Sequence, residues 1–164
     1  MDYDVMVKVG MADMNVTTHP GALTTLGLGS CVGIALYDPV NKIAGLAHIM
    51  LPDSTQIKNN SNVAKFADTA AVKLVEDMVK LGANKSRIRA KLAGGAQMFA
   101  FSGSASDTMR IGERNVEASK NILSRLGITI ISQDTGSNYG RTIELYSEDG
   151  RLVIKTIGYG VKQI

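Results

Sequence analysis

A thiol and an imidazole are the two groups of this chain best suited to nucleophilic chemistry together. Cys31 is the only cysteine among the 164 residues, and His48 is one of two histidines. An imidazole beside a thiol favours the thiolate–imidazolium pair, which is how cysteine nucleophiles are activated. Such a pair suits acyl transfer from an amide or an ester. The chemistry therefore depends on whether the fold brings these two side chains together.

A hairpin controls the distance between the two residues. The segments CVGIALY and KIAGLAHIML flank residues 38–41 (DPVN), and an Asp followed by a Pro favours a type I turn. If residues 38–41 form the loop, Tyr37 faces Lys42 and Cys31 lies directly opposite His48. Directly opposed residues share a face of the sheet, with Cβ atoms about 4.5–5.5 Å apart. This register predicts a thiol–imidazole contact, which a slip of one residue would abolish.

A catalytic pair of this kind also needs a group that orients the imidazole and donors that hold an oxyanion. Two threonines, Thr24 and Thr25, lie just upstream, and either hydroxyl could accept from the second ring nitrogen. The glycines of the GLG turn at residues 27–29 allow a tight backbone bend. Such a bend leaves amide N–H groups beside the nucleophile, so Gly29 and Ser30 are candidates for an oxyanion hole.

Simpler interpretations of both residues stay open at this point. An isolated intracellular cysteine is more often a small buried hydrophobe than a nucleophile. A histidine on an apolar strand is usually a hydrogen-bonded core residue. A redox switch at Cys31 is a third interpretation, weakened by the absence of a second cysteine that would resolve it.

The composition is that of one globular domain. The chain has 45% hydrophobic and 20% charged residues, and its net charge of +3 does not by itself indicate binding to nucleic acid. The apolar runs are too short to span a membrane, and the acidic N-terminus does not resemble a signal peptide. One cysteine excludes an internal disulfide. We therefore expect a cytoplasmic protein with no membrane insertion and with residues 1–164 in a single domain.

Seven strands and two helices are predicted to position the candidate residues. Apolar residues at helical spacing predict helices over residues 63–81 and 111–127, closed by Gly82 and Gly127. The Thr-, Gly- and Pro-rich segment before Cys31 is predicted to be a loop. One sheet covered by a helix on each face is the expected α/β architecture. The predicted strands span residues 3–10, 31–37, 42–51, 87–99, 128–134, 141–146 and 151–158.

Six blocks of the sequence carry a resemblance to a known family. They are TLGLGSCVGIALYDP, GLAHIMLPDS, KFADTA, AGGAQMF, IGERN and DTGSNYGR. With these blocks in order over about residues 7–157, the chain resembles the CheD family, the chemoreceptor glutamine deamidases of bacterial and archaeal chemotaxis. One position departs from the family pattern, because Ser137 stands where the family usually has the second glycine of an Asp-x-Gly-Gly segment.

The resemblance implies roles for the residues above. Cys31 would be the nucleophile, His48 the general base and acid, and Thr25, rather than Thr24, the residue that orients His48. It also implies an α/β fold in a single domain, an α/β/α layered sandwich with a mixed sheet, similar to bacterial toxins that deamidate host glutamines.

The resemblance further implies a substrate and a partner. The substrate would be a glutamine side chain on the cytoplasmic helices of a methyl-accepting chemoreceptor, converted to glutamate through a cysteine thioester without metal or cofactor. The partner would be CheC, a phosphatase of the phosphorylated chemotaxis response regulator. The alternative is a non-catalytic adaptor that binds and activates CheC.

Overall fold

A computed structural model gives the fold and describes residues 5–98 and 110–164. Over these residues the chain forms ten strands and two α-helices. The helices are Ala67–Lys80 (α1) and Ile111–Arg125 (α2). The strands are Met6–Lys8 (β1), Asp13–Thr18 (β2), Ala22–Leu28 (β3), Val32–Asp38 (β4), Ile43–Ile49 (β5), Arg89–Gly94 (β6), Thr129–Thr135 (β7), Arg141–Tyr146 (β8), Leu152–Thr156 (β9) and Gly160–Gln163 (β10).

The strands form two mixed sheets of five. The central sheet has the order β2-β5-β4-β6-β7, and the outer sheet has the order β1-β3-β8-β9-β10. The β1–β3 and β6–β7 pairs are parallel, whereas the other neighbouring pairs are antiparallel. Residues 3 and 4 of the first predicted strand, and residue 99 of the predicted strand over 87–99, lie outside the described residues.

Two apolar cores define the layers of the molecule. In the first, both helices pack on the same face of the central sheet, and the core includes Leu74 of α1, Leu123 of α2 and Ile34 of β4. The second lies between the two sheets and includes Leu46 of β5 and Ile143 of β8. The order of layers is therefore helices, central sheet, outer sheet.

The mixed α/β class is confirmed, but the expected α/β/α layering is wrong. The second face of the central sheet is covered by the outer sheet instead of by a helix. The burial of the strands gives the reason. β5 is buried along its whole length, as expected for a strand covered on both faces, whereas β8 alternates between buried and half-buried residues, as in a sheet covered on one face.

Both helices lie within their predicted ranges. Gly82 and Gly127 follow them with φ values of +118° and +73°, so they close the helices as predicted. The start at residue 63 is wrong because Phe66 is extended and separates α1 from a short 3-10 turn over Val63–Lys65. No helix in the described part of the chain combines the length and apolar character needed to cross a membrane.

The segment predicted as a loop before Cys31 contains two strands, β2 and β3. β3 pairs with β1 and β8, and its register with β8 shifts between Thr25 and Leu28. Gly27 lies within this irregularity with a φ of +68°, a conformation that glycine adopts without strain. The bulge brings the chain from the outer sheet to the start of β4 in the central sheet.

The β4–β5 hairpin forms, but its loop differs from the prediction. Asp38 pairs with Ile43, so residues 39–42 form the loop. The reason is that Asp38 is fully buried and its carboxylate accepts hydrogen bonds from the Val40 N–H and from the Arg87 guanidinium. These contacts hold Asp38 within the ladder as the last residue of its strand.

Candidate active site

The candidate residues lie in the layer between the two sheets. Cys31 directly precedes β4 and belongs to the apolar core between the sheets, with 8% of its surface exposed. His48, on β5 of the central sheet, is almost fully buried and contacts Thr25 of β3 in the outer sheet. The site therefore depends on the packing of one sheet against the other.

The hairpin register places Cys31 and His48 on one face but not directly opposite each other. Gly33 is the residue that pairs with His48. Cys31 lies two positions before Gly33 and so has the same strand parity, which makes it a diagonal neighbour of His48. Diagonal neighbours in a ladder have Cα atoms about 7–8 Å apart. The shared face agrees with the prediction. The direct opposition is wrong, and no hydrogen bond joins the His48 Nε2 to the Cys31 thiol in this structure.

Gly33 leaves the position opposite His48 without a side chain. A Cβ atom there would lie 2.6 Å from the Cδ1 of Ile143 and 3.3 Å from the Cδ1 of Leu28. Because both neighbours belong to the outer sheet, glycine at this position lets the two sheets approach closely. That approach is what brings Thr25 within hydrogen-bonding distance of His48.

The hydrogen bonds of Thr25 determine which nitrogen of His48 carries the ring proton. The Thr25 Oγ1 lies 2.7 Å from the Val9 carbonyl oxygen and 2.7 Å from the His48 Nδ1. A hydroxyl has one hydrogen and a carbonyl only accepts, so Thr25 donates to Val9 and accepts from Nδ1–H. The proton on Nδ1 leaves Nε2 as the unprotonated nitrogen. Nε2 is buried and has no hydrogen-bond partner among the described residues.

Thr24 has a different role. Its Oγ1 donates to the carbonyl of Ile143 on β8, at 2.8 Å. Successive residues of a strand point to opposite faces. Of the two threonines that the sequence offered, Thr25 is the one that contacts His48.

Burial favours the neutral forms of both reactive groups. Desolvation raises the pKa of the Cys31 thiol, and a hydrogen bond from its own backbone N–H offsets this in part. Desolvation lowers the pKa of His48. Both shifts favour the uncharged thiol and imidazole over the thiolate–imidazolium pair that the sequence predicts.

The backbone around Cys31 is fixed by contacts from β6 and α2. The Gly29 N–H donates to the Gly27 carbonyl, so the donor of this oxyanion candidate is engaged. The Ser30 carbonyl accepts from the Nδ2 of Asn115, at 2.9 Å. Asn115 lies in the block IGERN but had no predicted role; an amide among the apolar residues of an amphipathic helix was the available signal.

A thiol, an imidazole with one nitrogen held and the other unprotonated, and a hydroxyl are the groups that cysteine hydrolases use. Across residues 5–98 and 110–164, no cluster of three or more His, Cys, Asp or Glu side chains is arranged to hold a metal ion.

The family model described as CheD chemotactic sensory transduction matches residues 50–156. A probable chemoreceptor glutamine deamidase CheD from Caldanaerobacter subterraneus is 64% identical over 97% of this chain and 98% of its own length. The chemoreceptor glutamine deamidase CheD of Halalkalibacterium halodurans is 54% identical over 97% and 98%. The chain belongs to the CheD family. The matched segment begins after His48, whereas these relatives align over nearly the whole chain.

Two solved structures resemble the fold at a TM-score of 0.48. The Bacillus licheniformis hypothetical protein YfiH is 18% identical and covers 75% of this chain and 50% of its own. The Neisseria meningitidis protein NMB0706, of the family model DUF152, is 10% identical and covers 80% and 64%.

Proposed function

We propose that this protein is a glutamine deamidase that converts glutamine side chains of a chemoreceptor to glutamate, with Cys31 as nucleophile and His48 as base and acid. The observation that carries the proposal is the orientation of His48: Thr25 holds Nδ1, and Nε2 stays unprotonated on the face that it shares with Cys31. The names of the relatives, chemoreceptor glutamine deamidase CheD, supply the substrate.

The first half of the reaction forms a thioester. The His48 Nε2 takes the thiol proton as the Cys31 sulfur attacks the amide carbon of glutamine, and the carbonyl oxygen becomes an oxyanion. The imidazolium then gives its proton to the amide nitrogen, which leaves as ammonia. Because the thiol and imidazole start uncharged, the sulfur becomes anionic only as the carbon–sulfur bond forms.

The second half restores the enzyme. Water loses a proton to the Nε2 of His48 and attacks the thioester carbon, and the sulfur leaves and regains the proton. The product is a glutamate side chain, so each turnover exchanges a neutral amide for a carboxylate on a receptor helix. Like charges at neighbouring helical positions repel, which gives the product a means of shifting the receptor's equilibrium between signalling states.

We also propose CheC as a binding partner, on the strength of family membership. The measurement is a pull-down of purified CheC with this protein. Failure to bind at micromolar concentrations would remove CheC from the proposal and would leave the deamidase reaction unaffected.

The decisive experiment incubates a receptor cytoplasmic fragment with the protein. Intact-mass analysis reports each amide converted to an acid, and an ammonia assay reports the second product. The wild-type protein should produce both signals. Cys31→Ala should lose them, because no other thiol is present in the chain, and His48→Ala should lose them because no base is left to take the thiol proton.

The matched control for His48→Ala is His19→Ala, since His19 is the other histidine and is exposed. This variant should turn over at the wild-type rate. Deamidation by Cys31→Ala at the wild-type rate would refute the nucleophile assignment. A wild-type protein that binds CheC and the receptor fragment but releases no ammonia would favour the adaptor.

A further inference from the structure

Asn115 is a fully buried amide on the face of α2 that packs against the central sheet. Its Nδ2 donates to the carbonyl of Ser30, at 2.9 Å, and to the carbonyl of Met50, at 3.0 Å. Because both partners only accept, the NH₂ group must face them. The Oδ1 is buried with no hydrogen-bond partner among the described residues. The side chain is thus oriented by its two donors.

The two carbonyls belong to the segments that carry the reactive groups. Ser30 directly precedes Cys31, and Met50 follows His48 by two residues at the end of β5. One side chain from α2 therefore fixes the backbone before the nucleophile relative to the strand that carries the base. Both Nδ2 hydrogens are used in doing so.

Glycines allow α2 to come this close. A Cβ atom at Gly112 would lie 2.7 Å from the Gly95 carbonyl oxygen, and one at Gly95 would lie 2.9 Å from the Gly112 carbonyl oxygen. Contacts this short do not occur for real side chains. The first turn of α2 is therefore seated directly on the backbone of Gly95, which follows β6.

Three successive carbonyls next to the nucleophile are held from this side of the molecule. The Ala96 N–H holds the Gly29 carbonyl at 2.8 Å, Asn115 holds that of Ser30, and the Gly95 N–H holds that of Cys31 at 2.8 Å. In a planar trans peptide the N–H points opposite to the carbonyl. The Cys31 N–H belongs to the peptide whose carbonyl Asn115 holds, so it points away from α2. In the free protein it contacts its own sulfur, and it becomes available to the substrate oxygen once that sulfur bonds to the substrate carbon.

We infer that Asn115 is a positioning residue for the deamidation: by holding the Ser30 carbonyl, it fixes the Cys31 amide N–H as an oxyanion donor next to the sulfur. The inference rests on the proposed function. A preorganised N–H stabilises the charge that develops on the substrate oxygen and adds little to binding of the neutral amide. Without Asn115 the Ser30–Cys31 peptide plane loses the side chain that fixes its orientation.

The test compares Asn115→Ala with the wild-type protein in two reactions. In deamidation of the receptor fragment, kcat should fall about 10- to 100-fold while KM stays within about twofold, since the lost contact acts in the transition state. Alkylation of Cys31 by iodoacetamide forms no oxyanion, so its rate should be retained. A residue that only supports the fold would change both reactions together.

Ser119→Ala is the matched control. Ser119 is fully buried one helical turn further along α2 and donates to the backbone carbonyl of Asn115, at 2.8 Å. It should cost stability without lowering kcat. If Asn115→Ala does not fold, Asn115→Ser serves, because one hydroxyl hydrogen cannot serve both carbonyls at once.

The outcomes separate the inference from the proposed function. A wild-type protein with no turnover refutes the proposed function, and the inference falls with it. Normal wild-type turnover with an unchanged kcat in the folded Asn115 variants refutes the inference alone. A fall in kcat matched by an equal change in alkylation assigns Asn115 a structural role and also overturns it.

Discussion

The hydroxyl of Thr25 has one hydrogen, and the Val9 carbonyl accepts it. Thr25 therefore meets His48 as an acceptor, which keeps the imidazole proton on Nδ1 and the lone pair on Nε2. Thr25→Ala removes the acceptor and allows the imidazole to rotate or change tautomer. We expect kcat for deamidation to fall about 10- to 100-fold, by analogy with residues that orient a metal-bound imidazole.

Thr24→Ala is the matched control for this change. Thr24 is also buried, and its hydroxyl also donates to a backbone carbonyl, that of Ile143. Each variant should lose about 1 kcal/mol of stability with its hydrogen bond. Only Thr25→Ala should lower kcat, and an equal fall in kcat in the two variants would refute the role of Thr25 in orienting His48.

The pH dependence of kcat/KM follows from the burial of the two reactive groups. His48 acts as a base only when neutral, and its lowered pKa keeps it neutral into the acid range. We therefore expect kcat/KM to fall on the acid side only at a pH below the ordinary histidine pKa of about 6.5. Desolvation raises the pKa of Cys31, so the alkaline limb should lie above the ordinary thiol value of about 8.5.

Alkylation of the single cysteine checks the same point in the free protein. The iodoacetamide rate should still be rising with pH above neutrality, and the unfolded protein provides the reference for an ordinary thiol. A rate already on its plateau at neutral pH would show a resting thiolate and would contradict the neutral pair.

The elements that could be predicted from the sequence are those whose pattern lies within their own residues. The two helices have apolar residues at helical spacing, and glycines close them at residues 82 and 127. β3 has no comparable local signal, because its partner β8 lies more than a hundred residues along the chain; the Thr24–Ile143 hydrogen bond spans 119 residues. The sequence motifs therefore indicated Thr25 without showing that it belongs to a strand of a second sheet.

The hairpin register shows a second limit of the same kind. A count of loop residues treats Asp38 as part of the turn, whereas its contacts with Arg87 and with the Asn84 N–H come from the segment before β6. These long-range partners hold Asp38 in the strand and shift the pairing of Cys31 by two positions. A shift of two residues leaves each side chain on the same face of the sheet. The shared face of Cys31 and His48 could therefore be predicted, whereas their exact pairing could not.

Asp38 is therefore expected to stabilise the hairpin strongly. Burial would raise the pKa of its carboxyl, but hydrogen bonds from the Asn84 N–H, Arg87 and the turn outweigh this and lower it. Asp38→Asn keeps the shape but loses the charge that Arg87 pairs with. We expect a loss of about 2–4 kcal/mol in the free energy of unfolding at neutral pH, measured by urea denaturation.

The sign of the pH effect provides the check. A carboxyl with a lowered pKa in the folded state stabilises the protein above its unfolded value of about 3.9, and this contribution is lost as the pH falls through the folded pKa. The difference in the free energy of unfolding between the wild type and Asp38→Asn should narrow as the pH falls through the folded pKa of Asp38. The control is Asp53→Asn, a change at a helix cap that asparagine also fills, which should be nearly neutral.

For the whole molecule, the important feature is that the site lies between two sheets, so its geometry depends on what joins them. Arg141 of β8 is a fully buried polar link at the edge near the site. Its Nε lies 3.1 Å from the Oδ2 of Asp134 on β7, and its Nη1 donates to the carbonyls of Gly136 and Gly94. Gly94 ends β6 and packs against the Cys31 backbone.

The loop beside this link contains Ser137. Ser137 has a φ of +61°, the left-handed conformation that glycine adopts without strain. Its carbonyl accepts from the Gln97 N–H, at 2.9 Å. The serine therefore adopts a glycine-type turn that connects the end of β7 with the chain after β6.

Arg141→Met tests how far this link stabilises the molecule. Methionine fills much of the volume but leaves Asp134 without the guanidinium and the Gly94 and Gly136 carbonyls without a donor. Breaking a buried pair by removing one partner costs about 3–5 kcal/mol, and urea denaturation should show a loss near 3 kcal/mol because Lys162 still pairs with Asp134, at 2.9 Å. Lys162→Ala is the control, since that exposed pair should be worth less than about 1 kcal/mol. Equal losses of stability in the two variants would show that Arg141 contributes no more than the exposed Lys162 does. Apolar packing would then be what holds the two sheets together around Cys31 and His48.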